Sequence, residues 1–146
     1  MIPLEVLKVE GSFTVEFNDP KLLQVIKEAN QDFKNYIKGY QMIGKSYLPQ
    51  VQLKIKVNTA IAICKDRPNT RILFVANRVD QVEALIKECG YKFDSLYNNE
   101  VKFDNGSKIV VRNYNIVSKI KTKYTFVVID DCLSQQVKNL AKGLEL

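Results

Sequence analysis

The stretch Gly39-Tyr40-Gln41-Met42-Ile43-Gly44-Lys45-Ser46 meets every defined position of the pattern G-x-x-x-x-G-K-[ST]. In a loop of this kind backbone N–H groups wrap the phosphates of a nucleotide, the lysine reaches the outer phosphates and the serine hydroxyl binds Mg²⁺. Gly39, Gly44, Lys45 and Ser46 are therefore the candidate nucleotide-binding residues. A second element stands far downstream. Tyr124-Thr125-Phe126-Val127-Val128-Ile129-Asp130-Asp131 is a buried-strand run ending in two carboxylates, the form of an acidic, metal-holding strand tip. Ser46 and Asp130 are the candidate Mg²⁺ ligands.

The surroundings of the motif pull the other way. A phosphate loop follows a buried strand and opens a helix. Residues 32–37 read better as a helix end than as a strand, and Pro49 falls inside the helix the loop would open. Val51, Leu53, Ile55 and Val57 alternate with Gln52, Lys54 and Lys56, as a half-buried strand would. On that reading Gly39 caps a helix and Gly44 merely turns the chain. Asp130 and Asp131 admit two readings as well, since carboxylates at that point also cap a following helix.

The remaining pattern is that of an α/β protein. Residues 4–9 and 12–17 alternate around Glu10-Gly11 as a β-hairpin, and Asn18-Asp19-Pro20 starts a helix reaching about residue 38. Residues 58–65 look helical, and Arg67-Pro68-Asn69-Thr70 forms a turn. Residues 72–76 form a buried strand and 79–88 an amphipathic helix closed by Gly90. Asp104-Asn105-Gly106-Ser107 turns a hairpin, residues 125–129 make another buried strand, and a last helix spans about 133–142. The strands 72–76 and 125–129 are expected to be central and the hairpin to lie towards an edge.

Composition narrows the chemistry. The chain holds no histidine, so histidine bases, histidine triads and histidine-ligated metals are excluded. Cys64, Cys89 and Cys132 are an odd, widely spaced set, which suits reduced thiols in a cytoplasmic, reducing compartment. No apolar run approaches a membrane span, and the N-terminus carries no signal-peptide pattern. The net charge of +6 is compatible either with a nucleic-acid partner or with an ordinary lysine-rich surface. Lys108, Arg112, Lys119, Lys121 and Lys123, interleaved with Tyr114 and Tyr124, are the best candidate basic-aromatic patch for DNA.

Across residues 39–132 the chain resembles the ATPase domain of phage terminase large subunits, with a weaker likeness to helicase cores. Gln41-Met42-Ile43-Gly44-Lys45-Ser46 is similar to that family's glycine-poor phosphate loop. Pro68-Asn69-Thr70-Arg71-Ile72-Leu73-Phe74-Val75-Ala76-Asn77 resembles its next strand, and residues 81–88 the helix after it. Val101-Lys102-Phe103-Asp104-Asn105-Gly106-Ser107-Lys108-Ile109 is similar to its "LxNGSxI" hairpin, and residues 126–131 to its acidic strand. The resemblance implies a partly parallel central sheet like a truncated P-loop NTPase core. To this the chain adds an N-terminal β-hairpin and helix (1–38) and a C-terminal helix (133–146), all in one domain. It also implies ATP and Mg²⁺ as ligands, and Asp131 as the group orienting attacking water. The family carries Asp-Glu at the strand tip, so Asp131 stands where a glutamate is expected, and the family's later strands and nuclease domain do not follow.

Two functions are consistent with these features. One is a terminase- or helicase-like ATPase of viral or mobile-element DNA packaging or metabolism. The other is a non-catalytic module for nucleic acid, or for a viral or host protein, in which residues 51–57 are a strand. Strand at 33–37 with helix at 45–57 would favour the first; helix then strand would favour the second.

Overall fold

The computed structural model describes residues 49–146 except Tyr97 and Asp131, together with Lys21, Val25 and Glu28, which are helical positions. Residues 4–17, where a hairpin is expected, the motif at 39–46, residues 33–37 and Asp131 lie outside the described residues.

The described chain opens with α1 (Pro49–Asp66), followed by β1 (Arg71–Ala76), α2 (Val79–Glu88), β2 (Glu100–Lys102) and β3 (Lys108–Asn113). A 3₁₀ helix (Tyr114–Lys119), β4 (Phe126–Ile129) and α3 (Gln135–Lys142) complete it. The four strands form one sheet in the order β2-β3-β1-β4. β1 runs parallel to both β3 and β4, and β2 pairs antiparallel with β3. The fold is thus α/β with a small mixed sheet. Among the described residues no helix is long and apolar enough to cross a membrane.

Strand alternation divides the core into two layers. Ile72, Phe74, Ala76, Ile109, Val111 and Val128 pack with Ile55, Ile63 of α1 and Val82, Ile86 of α2. Leu73, Val75, Val110, Val127 and Ile129 face the other way, onto Val117 of the 3₁₀ helix and Ala141 of α3. Strands covered on both faces need apolar residues at every position, which is why β1 and β4 lack alternation.

Residues 51–57, whose alternation suited a strand, are helical. Pro49 is the first residue of α1, where the missing N–H costs nothing and the ring presets φ. The alternation misled because Lys54 and Lys56 are both held by partners remote in sequence. Lys54 is ion-paired with Glu88 of α2 at 3.0 Å. Lys56 is fully buried and its Nζ donates to the carbonyl of Ile129. With Ile55, Lys56 and Val57 buried in succession, no one-sided pattern was left to read. Tertiary burial overrides the β propensity of the Val, Ile and Thr residues here.

β1 is central, as expected. β4 is buried throughout but stands last in the order of described strands. Beside it, Glu145 accepts from the Val127 N–H at 3.0 Å, while Lys56 takes the Ile129 carbonyl. The hairpin of β2 and β3 occupies the opposite side of the sheet, with Gly106 at φ 87 in its turn.

Candidate functional site

α2 leaves β1 towards the face held by α1, whereas α3 leaves β4 towards the opposite face. Where neighbouring parallel strands send their connections to opposite sides, a crevice opens beyond their carboxyl ends, and ligands of open α/β sheets bind there. Such a cleft, of about 430 Å³, is lined by Leu53 of α1, Asn77 after β1, Gln81 and Leu85 of α2, and Asp130 and Cys132 after β4.

Asp130 is half-buried at its rim. One carboxylate oxygen accepts from the Asn77 N–H at 3.4 Å, and the other from the Cys132 N–H at 3.3 Å. Asn113 Nδ2 donates to the Asn77 carbonyl at 3.1 Å, and its Oδ1 accepts from the Asn115 N–H to start the 3₁₀ helix. The carboxyl ends of β3, β1 and β4 are therefore stitched together by Asn113, Asn77 and Asp130.

Lys56 was not singled out by sequence, because the alternation made it a solvent-facing residue. It holds a buried ammonium at the last carbonyl of β4, next to Asp130. Its charge lowers the pKa of Cys132, but partial burial, the hydrogen bond to Asp130 and that residue's charge outweigh it and push the thiol up. Cys132 Sγ lies 3.2 Å from Asp130 Oδ1. Cys64, Cys89 and Cys132 are all free thiols, buried, half-buried and exposed respectively.

Among the described residues no group of three or more His, Cys, Asp or Glu could hold a metal. Asp130 alone remains, and a single carboxylate combined with substrate phosphates and water is an ordinary way to hold Mg²⁺. The other candidate residues of this centre, Gly39, Gly44, Lys45, Ser46 and Asp131, lie outside the described residues.

The five basic residues do not all gather in one place. Lys108 begins β3 and Arg112 lies near its other end, where Nη1 donates to the Asn98 carbonyl at 2.6 Å. Lys119, Lys121 and Lys123 are exposed on the segment leading to β4, and Lys123 Nζ donates to the Gly143 carbonyl. Tyr124 is buried, with the Arg71 guanidinium 5.3 Å from its ring centre, so it offers no face to a base. Tyr114 is exposed, at the Arg112 end of β3.

No family model matches this chain, and no curated protein or solved structure matches it either.

Proposed function

We propose that the chain is a nucleotide-binding α/β domain, related to the P-loop ATPases of terminases and helicases, that takes a nucleoside triphosphate with Mg²⁺ in the cleft beside Asp130. One observation carries this reading: the segment behind the motif is a helix. Only Tyr47 and Leu48 separate Ser46 from α1, and the early part of α1 flanks the tip of β4 through Leu53 and Lys56. A helix at that place is what a phosphate loop requires of the chain that follows it.

In this reading Gly39 and Gly44 let the backbone approach the phosphates, Lys45 neutralises them, and Ser46 and Asp130 hold the metal. The bound Mg²⁺ supplies charge neutralisation at the phosphates. Asp131, in place of a glutamate, orients water if hydrolysis occurs. The expected partner is DNA, in packaging or metabolism of a virus or mobile element.

Calorimetry with a non-hydrolysable ATP analogue tests the proposal. Binding should require Mg²⁺, vanish in Lys45→Ala and weaken at least tenfold in Asp130→Asn. Heat signals that are absent, or equal in all three proteins, would reject it. A second reading, a non-catalytic binding module on the same fold, draws support from the bracing bonds of Asp130 to Asn77 and Cys132. Those bonds give the carboxylate a structural task without any metal.

A further inference from the structure

The end of the sheet remote from the cleft carries a row of cations. In the strand register Lys102 stands opposite Lys108, and Lys108 stands opposite Arg71. All lie on the face of Val110 and Leu73, because Val101, Ile109 and Ile72 point into the other core layer. Like charges directly opposite one another destabilise a sheet. Among the described residues a single carboxylate answers this row: Glu100, with Lys102 Nζ at 3.6 Å and Lys108 Nζ at 3.7 Å.

Arg71 is the most telling member. Its guanidinium rests against Tyr124, and its Nε is, among the described residues, a buried side-chain polar atom without a hydrogen-bond partner. A buried donor left unsatisfied costs about 1–3 kcal/mol, and Arg71 also lines the pocket at this end of the sheet. The pocket above the row, about 400 Å³, is lined by Arg71, Lys102, Lys108, Asn69 and Ser107 together with Phe103 and Gly106.

We propose that this row is a seat for the phosphodiester backbone of a nucleic-acid strand. The guanidinium matches a phosphate's oxygens in a fork, and lysines serve as adjustable point charges. An extended polyanion fits better than a single small anion because the charge is spread over several strands. The exposed Lys121 and Lys123 continue it as the chain returns along the same face to the start of β4. Recognition is by backbone charge and is independent of base sequence. The site is separate from the cleft by the length of β1, whose 6 residues span about 20 Å. It does not rest on the nucleotide reading.

The test uses the whole chain and a short, fluorescently labelled, mixed-sequence single-stranded DNA, followed by anisotropy across a salt series. Wild type should bind at about 50 mM salt with affinity falling steeply as salt rises. The pair K102Q/K108Q should lose at least tenfold in affinity and flatten the log–log salt slope by about 1.4, the value for two released single-strand phosphate contacts. Lys87→Gln, on α2 across the sheet, should bind as wild type. Because Lys102 and Lys108 both neutralise the buried Glu100, the single variant K102Q, which leaves Lys108 in place, keeps the test sound if the pair melts early; it should lose about threefold in affinity while still melting close to wild type. Failure of wild type to bind, equal slopes in wild type and K102Q, or a seat that takes inorganic phosphate and no oligonucleotide would each overturn the proposal.

Discussion

Asn105 Nδ2 donates to the carbonyl of Cys64 over 2.7 Å, so the turn of the β2–β3 hairpin closes the C-terminal end of α1. Its neighbour completes the clasp: Ser107 Oγ donates to the Arg67 carbonyl at 2.6 Å and accepts from the Thr70 N–H at 3.0 Å. The Asn-Gly-Ser turn therefore joins helix end, hairpin and the start of β1. Asn105→Ala removes the side-chain donor to the Cys64 carbonyl and should cost about 1–2 kcal/mol in urea unfolding. Gly106→Ala should cost more. At φ 87 an L side chain is strained, and its Cβ would sit 2.3 Å from Asn69 Oδ1. Equal stability of the two variants and wild type would show that the turn is not a clasp.

Lys56 supports the site end of the sheet in a comparable way. Lys56→Met keeps the length of the buried stem but leaves the Ile129 carbonyl without that donor, at a cost of about 1–3 kcal/mol. Lys56→Ala also opens a cavity and should lose more stability than Lys56→Met. Chemical denaturation of the two variants side by side checks the order. A methionine variant as stable as wild type would mean that burial of the ammonium already offsets its hydrogen bond.

How far the sequence could be read depended on where each residue's partner lies. β1, α2, the hairpin and β4 were legible because their apolar patterns and the Asn105-Gly106 turn are local signals. The last part of α1, residues 58–65, was legible as a helix, but its first part was not, because what makes Lys54 and Lys56 compatible with a buried helix is Glu88 and Ile129, both remote in sequence. The acidic tip was legible as a strand end, and Asp130 stands there at the cleft. The cation row was half legible. Lys108 was picked out, but Arg71 and Lys102 join it only through cross-strand register, which no linear spacing displays.

Cys64 makes stability fall in alkali. Burial pushes its thiol from 9.0 up to about 12, and Sγ sits 3.9 Å from the Lys108 carbonyl. Below about pH 9 the thiol is protonated in folded and unfolded chains alike, and its contribution is fully present. Between about 9 and 12 the unfolded chain releases the proton and the folded chain retains it. Unfolding is then favoured by up to about 1.4 kcal/mol per pH unit. Urea midpoints of wild type and Cys64→Ala, measured from pH 8 upward, isolate this effect from other alkaline titrations. Wild type should lose stability faster above pH 9, and parallel curves would refute the assignment.

Cys132 reports on Asp130. The thiol is exposed, yet its pKa is raised first by partial burial and then by the hydrogen bond and charge of Asp130. Thiolate, not thiol, reacts with alkylating agents, so Cys132 should label more slowly than its exposure suggests. Asp130→Asn removes the negative charge and keeps an acceptor oxygen for one of the two N–H groups that the carboxylate oxygens serve separately. The pKa should fall, and iodoacetamide labelling at pH 8, followed by mass spectrometry, should speed up by roughly twofold to fivefold. The increase remains partial because burial, the larger cause, is untouched. Cys64 in the same samples should stay unlabelled, which guards against unfolding as the cause. An unchanged Cys132 rate with Cys64 protected would mean that the Asp130 charge does not govern this rim of the cleft.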